Sequence, residues 1–398
     1  MKYQVGFDTS ALLPDFKEHA IRGIGRYVLE LKRFFDRQES EEIKIGTFDH
    51  NALLKRGMLA GLIEKVPYGK ITLRQQLLYP FKLSAGQMQQ YEVLHFPAHM
   101  DAPSWSFKSY IITVLDLIPL IFSDLYKAAQ PNWRFHLARF LEVRAIKNAN
   151  FIIAISENTK KDVQRILGIE ESRIYVTPLG VDQRFFQVRL DQDEQQATRM
   201  RHQLPLDVPV ILYVGGIDQR KNIAVLIRSF ADVVQHMRSQ RQPEPILFMA
   251  GKIEHDRQFP ELLRLIKKYQ VESHVVCGGY LSDDELLKLY ALASLFFFPS
   301  LYEGFGLTPL EALASGAPVV SSNASAMPEV LGDAALMFDP EDHFQAAKQI
   351  INVLENPQLK ADLRQAGPQQ ASRFTWDLTG RRTLEAYRAY LGSLNATR

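Results

Sequence analysis

Short apolar segments that alternate with amphipathic helical segments constrain this chain to an α/β fold. In the first half, the strand candidates are residues 3–7, 43–48, 93–96, 110–114, 151–155 and 174–176. Helices are predicted between several of them, at residues 23–35, 132–148 and 156–167. Strands that alternate with helices pair in parallel through right-handed crossovers. The pattern therefore predicts a doubly wound sheet that binds ligands at the carboxyl ends of its strands.

The second half repeats this pattern, which predicts a second sheet. Its strand candidates are residues 210–214, 246–250, 274–277, 295–298, 319–322 and 335–338. A polar segment at 189–201 separates the two halves, and a final amphipathic helix is predicted at 378–391. Because 398 residues exceed what one core usually organises, we predict two Rossmann-like domains at residues 1–185 and 186–375, followed by a helical segment at 376–398.

Charge and cysteine content exclude several classes of protein. The 47 basic and 45 acidic residues give a net charge of +2, which argues against a dedicated nucleic-acid-binding protein. The single cysteine, Cys277, excludes an intramolecular disulfide framework and fits a reducing compartment. The N-terminus lacks the apolar core of a signal peptide, and no apolar run is long enough to span a bilayer. These features predict a cytoplasmic protein.

A basic segment suggests peripheral contact with the inner face of the membrane. Residues 55–82 contain one acid, Glu64, and are rich in leucine and aromatic residues. Their basic residues are Lys55, Arg56, Lys65, Lys70, Arg74 and Lys82. An anionic membrane surface attracts such a segment. A solvated basic surface explains the same composition, so both interpretations stay open.

The segment from residue 301 to residue 311, LYEGFGLTPLE, carries the most functional information. Gly304 and Gly306 allow the backbone to approach a ligand closely because neither has a Cβ atom. Thr308 is predicted as the N-cap of a helix whose first N–H groups suit a phosphate. A capping box between Thr308 and Glu311 explains part of this pattern without a ligand. It does not explain Glu303, and two carboxylates on either side of the turn suit the two ends of a nucleotide sugar.

A second glycine turn is followed by two cations that would suit a phosphate ligand. The strand predicted at 210–214 ends in Gly215 and Gly216, and Arg220 and Lys221 follow just before a helix. A diphosphate that leaves with its bonding electrons needs positive charge nearby. Cations at a helix N-terminus oppose the helix dipole, so a role in stability alone does not favour them there.

A third turn, RGIGRY at residues 22–27, contains Gly23 and Gly25 and lies at the first connection from strand to helix. It lacks the third glycine of the dinucleotide-binding fingerprint. No acidic residue ends the next strand in the position that the fingerprint requires. An oxidoreductase with a Rossmann fold is therefore a weaker interpretation than sugar transfer.

Together these motifs resemble the retaining glycosyltransferases of family 4. The Glu-x₇-Glu spacing in EGFGLTPLEA and the segments GGIDQRKN and GIGRY are similar to the mannosyltransferase-like members of that family. The resemblance implies a GT-B fold, in which two Rossmann-like domains face a cleft and the last helix crosses back to the first domain. It also implies that Glu303 orients the hydroxyl groups of the transferred sugar and that Glu311 holds the ribose. Arg220 and Lys221 would hold the donor phosphates.

The resemblance implies further contacts with the donor. The residues expected near the phosphates are Gly23, Gly25, Gly216, Gly304, Phe305, Gly306, Leu307 and Thr308. Independently of the resemblance, Lys252, Tyr280 and Leu281 follow predicted strands of the second domain, and this position makes them candidates to line the base pocket. Many family members carry an arginine directly after the first glycine of the second turn, where this chain has Gly216, and Arg220 is expected to replace it.

Three residues of the first domain are candidates for contact with the sugar or the acceptor. Asp116 follows the strand at 110–114, at an edge where ligands bind. Many relatives have a histidine just before this aspartate, where the present chain has Leu115. His95 and His99 are the candidates to supply an imidazole on the acceptor side.

We therefore predict a metal-independent, retaining hexosyltransferase. Its predicted reaction moves mannose from GDP-mannose onto a glycan or a lipid-linked acceptor in cell-surface polysaccharide synthesis. No cofactor besides the nucleotide-sugar substrate is expected. Leu115 keeps open a second interpretation, a non-catalytic subunit that binds a nucleotide sugar.

Overall fold

The computed structural model describes residues 3–13, 23–38, 42–49, 83–84, 86–99, 102–123 and 133–396. Within these residues the chain forms two parallel β-sheets with helices, which confirms the predicted α/β fold. The basic segment at 55–82 and Arg22 lie outside the described residues, so the membrane interpretation of that segment stays a prediction.

The chain divides into two compact units. The first unit comprises Met1–Leu179 and Trp376–Arg398, and the second comprises Gly180–Thr375. The boundary between the two units thus follows residue 179. The sequence predicts it after residue 185, six residues later.

The first unit is built on six strands. They are β1 (Tyr3–Asp8), β2 (Ile43–Phe48), β3 (Val93–Phe96), β4 (Tyr110–Val114), β5 (Phe151–Ala154) and β6 (Ile174–Val176). Their order in the sheet is β2-β1-β3-β4-β5-β6, with parallel pairing throughout. The helices described before residue 180 are α1 (Ile24–Arg37), α2 (Ile118–Ile121), α3 (Trp133–Asn148) and α4 (Glu157–Leu167).

The second unit contains the other parallel sheet. Its strands are β7 (Val210–Val214), β8 (Ile246–Ala250), β9 (Val275–Gly279), β10 (Leu295–Phe298), β11 (Val319–Ser322) and β12 (Ala335–Phe338). Their order is β12-β11-β10-β7-β8-β9. Its helices are α5 (Arg184–Gln187), α6 (Gln192–Arg201), α7 (Ile223–Ser239), α8 (Phe259–Lys268), α9 (Asp283–Leu292), α10 (Leu307–Ala314), α11 (Met327–Leu331), α12 (His343–Glu355) and α13 (Pro357–Ala371). β7, β8 and β10 are buried along their whole length, as expected for parallel strands covered by helices on both faces.

Most strands have the bounds that the apolar runs predict. β9 differs, because it spans Val275–Gly279 instead of residues 274–277. His274 belongs to a short 3₁₀ turn in which its N–H donates to the carbonyl oxygen of Val271 at 3.0 Å. The strand therefore begins one residue later and continues into its two glycines.

The C-terminal helix, α14 (Trp376–Ala396), packs against α1 of the first unit. A Cβ atom on Gly380 would lie 2.3 Å from the ring of Phe34, so the two helices touch closely at this point. Arg37 and Asp377 form an ion pair of 3.1 Å between them. This packing confirms the predicted return of the last helix to the first unit.

The chain enters and leaves the second unit at neighbouring positions. Val181 and Thr375 form an isolated parallel bridge, and the N–H of Val181 donates to the carbonyl oxygen of Phe374 at 3.0 Å. Among the described residues, no helix combines the length and the apolar character needed to span a bilayer.

Candidate functional site

The candidate site lies where the strand order of the second sheet reverses. β7 is the first strand of this unit in sequence, but it lies between β8 and β10. Connections from β7 and β10 therefore leave in opposite directions, which opens a crevice at their carboxyl ends. The loop after β7 carries Arg220 and Lys221, and the loop after β10 carries Glu303. Lys221 and Glu303 thus meet although 82 positions separate them in the sequence.

Close backbone contacts fix the loop after β7. Gly251, at the end of β8, has a φ of +151°, and a Cβ atom there would lie 2.1 Å from the carbonyl oxygen of Gly215. Asn222 adopts a left-handed conformation with a φ of 57°. Its Nδ2 donates to the carbonyl oxygens of Pro299 at 3.2 Å and Pro340 at 2.7 Å. These contacts hold the intervening cationic segment against the end of β10.

Arg220 and Lys221 both bind the carboxylate of Glu303. Lys221 Nζ lies 2.5 Å from Glu303 Oε1, and Arg220 Nη1 lies 2.8 Å from Oε2. Arg220 Nε also lies 3.1 Å from Asp218 Oδ1. The side chains of Lys221 and Glu303 expose only 9% and 13% of their surface. Coulomb attraction is stronger in such a largely buried position than in water.

Two serines complete the surroundings of Glu303. Ser300 Oγ donates to Oε1 at 2.6 Å, and the N–H of Glu303 donates to Ser325 Oγ at 2.8 Å. Burial raises the pKa of Glu303, but the charges of Lys221 and Arg220 and the side-chain hydrogen bonds outweigh it and lower the pKa to about 2. Glu303 is therefore an ionised acceptor of hydrogen bonds at neutral pH.

Lys221 is the more buried of the two cations. Its Nζ lies 4.8 Å from the ring centroid of Phe298, the last residue of β10. Burial lowers the pKa of Lys221, and the attraction of Glu303 opposes this effect. Glu303 therefore favours the charged form of the lysine at a place where water solvates it poorly.

The helix after the glycine turn begins earlier than predicted. Gly306 is its N-cap, with a φ of +101°, and α10 starts at Leu307. The prediction of Thr308 as N-cap is wrong because the left-handed backbone at residue 306 favours glycine. No side chain caps this helix, so the capping box between Thr308 and Glu311 is absent. The first N–H groups of α10, including those of Leu307 and Thr308, have no partners within the helix.

Phe305 and Glu311 have defined contacts within the second unit. Phe305 is 3% exposed, and its ring packs edge to face against Phe374 at 5.7 Å between centroids. Its side chain therefore supports the turn from within the second unit. Glu311 is half-buried, and its Oε2 accepts a hydrogen bond from Tyr290 OH at 3.3 Å.

The residues predicted for the base pocket lie at the ends of neighbouring strands. Lys252 follows β8, and its Nζ lies 5.8 Å from the ring centroid of Tyr280, which follows β9. The Tyr280 side chain is 54% exposed, whereas Leu281 is buried. An exposed aromatic ring offers a flat surface on which a base can stack. Gly216 is open, because a Cβ atom there would meet only Asp218 Oδ2, at 4.0 Å.

Three of the predicted residues of the first unit lie at or near the start of a helix. Gly23 is the N-cap of α1, with a φ of 62° that glycine adopts readily, and Gly25 is buried in the first turn of that helix. Asp116 follows β4, and its Oδ1 accepts a hydrogen bond from the N–H of Ile118 at 3.0 Å. Asp116 therefore also stabilises the start of α2.

His95 occupies a different environment from the one predicted. It lies within β3 and is fully buried. Its Nδ1 lies 2.7 Å from Tyr387 OH, and its Nε2 lies 2.8 Å from Thr113 Oγ1, which also contacts Tyr27 OH at 3.1 Å. Burial lowers the pKa of His95 to about 3, so the ring is neutral. His95 supports the core, and in this position its side chain is not available to an acceptor.

His99 lies beyond β3 and is 4% exposed. Its Nε2 lies 2.7 Å from Glu142 Oε1, and Arg139 binds the other oxygen of that carboxylate. Burial raises the pKa of Glu142, but hydrogen bonds and charges from His99 and Arg139 outweigh it and lower the pKa. The acceptor-side role of His99 stays a prediction.

No role was predicted for Asn222, which ends the segment GGIDQRKN, or for Ser300 and Ser325. Asn222 was detectable, because asparagine adopts the left-handed conformation more readily than most residues and this one directly precedes a helix. Ser325 contacts the backbone of Glu303 across 22 positions of sequence. No local pattern marks such a contact.

Two family models match the two halves of the chain. The model described as Glycosyltransferase Family 4 matches residues 21–185, and the model described as Glycosyl transferases group 1 matches residues 194–370. The chain belongs to the GT-B glycosyltransferases of the family 4 kind. Neither match supports the oxidoreductase interpretation.

Relatives of this family 4 chain include bacterial mannosyltransferases. It is 31% identical to the serotype-specific mannosyltransferase WbdA of Escherichia coli over 71% of its own length and 34% of WbdA. The chain thus spans about a third of the length of the WbdA sequences that it matches. It is 27% identical to the O-antigen chain mannosyltransferase B of Escherichia coli, over 93% of this chain and 97% of that protein.

The fold also matches a solved structure. Sucrose-phosphate synthase from Thermosynechococcus elongatus superposes with a TM-score of 0.72 at 19% identity. The match covers 98% of this chain and 100% of that one. It supports the GT-B fold and, at this identity, the fold alone.

Proposed function

We propose that this protein is a retaining hexosyltransferase that transfers mannose from GDP-mannose to a glycan or a lipid-linked acceptor in cell-surface polysaccharide synthesis. The observation that carries the proposal is the cluster of Arg220, Lys221 and Glu303 at the switch point of the second sheet. The names of the bacterial relatives support mannose as the sugar. The choice of GDP rests on the resemblance of the GGIDQRKN and GIGRY segments.

In the proposed reaction, Arg220 and Lys221 stabilise the diphosphate as it leaves. Glu303 holds both cations in place before a donor binds, and the contacts of Asn222 fix the loop after β7 that carries them. Charges that are already oriented stabilise a transition state without further reorganisation. The N–H groups at the start of α10 add partial positive charge at the same edge of the sheet.

Transfer takes place on one face of the sugar. The bond between the anomeric carbon and the diphosphate oxygen breaks with its electron pair on the diphosphate, and the acceptor oxygen bonds to the same face of that carbon. The acceptor proton passes to the diphosphate oxygen that leaves. Glu303 stays ionised, because its pKa is about 2, and accepts hydrogen bonds from the sugar hydroxyl groups, while Glu311 binds the ribose.

No metal ion is required in this proposal, because two side-chain cations and the helix N–H groups supply the positive charge. A transfer rate that is unchanged in EDTA supports this part of the proposal. A rate that falls in EDTA and returns with Mg²⁺ or Mn²⁺ overturns it.

A thermal-shift screen identifies the donor, because a ligand that binds only the folded state raises the melting temperature. Among GDP-, UDP-, ADP- and TDP-sugars, we expect the largest rise with GDP-mannose. A larger rise with another nucleotide sugar contradicts the choice of donor and leaves the reaction class intact.

The variant Glu303→Gln tests the catalytic assignment. It preserves the shape of the side chain and removes its charge, so we expect transfer to be abolished while the circular dichroism spectrum of the fold persists. A transfer rate equal to that of the wild type removes the central assignment. Donor binding by the wild type without transfer to any glycan or polyprenyl-linked acceptor favours the non-catalytic subunit that Leu115 suggests.

A further inference from the structure

Helix α3 carries an exposed face on which apolar and basic residues occupy separate halves. Trp133, Leu137 and Phe140 are 69%, 38% and 58% exposed. Arg144 and Lys147 are also exposed and lie in the C-terminal half of the helix. At about 100° per residue, these five positions fall within an arc of roughly 80°. We call this surface the outer face of α3.

The inner face of α3 belongs to the core of the first unit. Ala145 and Ile146 are fully buried on it. Glu142, the one acid in the α3 sequence, is also buried and is paired with neighbouring side chains. The outer face therefore carries the positive charge of Arg144 and Lys147 with no acid beside them on the helix. Neither cation forms an ion pair within the part of the chain that the structure describes.

A loop extends this surface at the C-terminal end of α3. Asn148 Nδ2 donates to the carbonyl oxygen of Ser104 at 2.8 Å, which fixes the loop to the helix end. Phe107 lies in the same loop and is 63% exposed. A further aromatic ring thus faces solvent next to the basic half of the helix.

The second unit has no comparable group of side chains. All of its residues are described, and its large exposed apolar side chains lie on five different helices, loops or strand ends. They are Met200, Leu206, Leu263, Tyr280 and Phe344. Single exposed apolar residues are normal on a protein surface, whereas an apolar patch with a polar border marks an interaction site.

We propose that the outer face of α3, together with Phe107, docks on an anionic lipid bilayer. Tryptophan and phenylalanine side chains enter the boundary between headgroups and acyl chains, and nearby lysine and arginine side chains attract anionic headgroups. The charge favours this partner over a second copy of the chain, because self-pairing brings the cations of two identical faces together. The inference does not depend on the sugar or the nucleotide, and it gives a lipid-linked acceptor a physical route to the first unit.

Sedimentation of the full chain with vesicles tests this surface. We expect binding to vesicles of phosphatidylglycerol and phosphatidylcholine that is at least about tenfold stronger than binding to phosphatidylcholine alone, and that weakens as salt rises. The double variant Trp133→Ala/Phe140→Ala should lower the partition coefficient on the anionic vesicles by about tenfold or more. Arg144→Gln/Lys147→Gln should lower it by about ten- to thirtyfold.

Matched controls come from the second unit. Leu263→Ala/Phe344→Ala removes two exposed apolar side chains, and Lys267→Gln/Lys348→Gln removes two exposed cations. Both controls should bind the vesicles as the wild type does. All the altered side chains are exposed or partly exposed, so each variant should keep the circular dichroism spectrum of the folded protein.

Three results of the vesicle experiment overturn the inference. They are absence of binding to the anionic vesicles, equal loss of binding in the controls, and outer-face variants that bind as the wild type does. A concentration-dependent dimer that Trp133→Ala/Phe140→Ala abolishes assigns the surface to a second copy instead. Transfer to a soluble acceptor, measured in parallel, reports on the proposed function separately, because the variants leave Arg220, Lys221 and Glu303 unchanged.

Discussion

Both units contain a parallel six-stranded sheet, but the polar side chains near the point where the strand order reverses have different environments. In the first unit, β3 lies beside β1 and carries His95, which is neutral and enclosed by Tyr387 and Thr113. In the second unit, the loops after β7 and β10 bring Lys221 and Glu303 together as ionised partners. Two parallel six-stranded sheets with different strand orders thus carry a neutral network in the core and a charged cluster at the sheet edge.

The comparison shows that the fold determines where a crevice forms. The partners of each side chain then determine whether that side chain supports the core or is available for chemistry. His95 has both ring nitrogens occupied and no access to solvent, so its position serves stability. Glu303 has cations that also suit a phosphate, and it lies at the open end of the strands. The chemistry at each site therefore depends on the contacts of individual residues, even though both sheets are parallel and six-stranded.

After Glu303→Gln, the largest expected effect comes from removing a cation of the second unit. Lys221→Met keeps much of the side-chain length and removes the charge, so the transfer rate should fall about 100- to 1000-fold, as for loss of one oriented group that stabilises a leaving anion. Lys267→Met, at an exposed position of α8, is the matched control and should keep the wild-type rate. An unchanged rate in Lys221→Met would break the comparison, since the charged cluster would then have no catalytic use.

A second prediction concerns the backbone that supports this cluster. Gly251→Ala should lower the free energy of unfolding by about 3 kcal/mol or more, because the new Cβ atom overlaps the carbonyl oxygen of Gly215 at a strained positive φ. Urea denaturation measures the change. Gly392→Ala in α14 is the control, since a Cβ atom there meets nothing within 4 Å and alanine favours the helix by about 0.5–1 kcal/mol. Equal destabilisation by both changes would show that the close approach of Gly251 to Gly215 does not require glycine.

A third prediction uses pH to sharpen the contrast between the units. The pKa of His95 is lowered to about 3 in the folded state, whereas an unperturbed histidine titrates near 6.5. Below about pH 6.5 the unfolded chain takes up a proton that the folded chain does not bind. The contribution of neutral His95 to the free energy of unfolding is therefore fully present above about pH 6.5 and is lost as the pH decreases toward 3. At pH 5 the loss should be about 2 kcal/mol.

Urea midpoints at pH 7.5 and pH 5.0 measure this effect. The variant His95→Gln should lose less stability between the two values than the wild type does. His255→Gln, at an exposed position, should behave as the wild type. The same pH dependence in His95→Gln and in the wild type would show that other groups control it.

The smallest expected effect lies at the contact between α1 and α14. Arg37 and Asp377 are 65% and 56% exposed, and solvent screens an ion pair at such a position. Arg37→Ala should change the free energy of unfolding by less than about 1 kcal/mol. A larger loss in urea denaturation would mean that surface charge, and not the packing of Gly380 on Phe34, joins the two helices.

Much of the fold could be predicted because it depends on local patterns. Apolar runs that end at glycine or polar residues gave the bounds of β7, β8 and β10 directly. The start of α10 could not be predicted in the same way. The choice between Gly306 and Thr308 as N-cap depends on a backbone dihedral and on the packing of Met327 against Gly306, which a local sequence does not reveal.

The candidate site was predictable by residue type and less so by contact. Glu303 and Lys221 were identified because charged residues follow glycine turns at strand ends, but their direct pairing became visible only in three dimensions. His95 was predicted as a candidate on the acceptor side, and the partner that encloses it, Tyr387, comes from 292 positions later in the chain. Long-range contacts of this kind leave no local signal.

The return of α14 to the first unit has a consequence for synthesis. The second unit begins at Gly180 and ends at Thr375, and these ends are joined by the bridge between Val181 and Thr375. A ribosome therefore finishes the whole second unit before it makes the helix that contributes Tyr387 beside His95. The first unit is therefore translated first and completed last. A premature stop codon that removes α14 would expose the hydrophobic interior of the first unit.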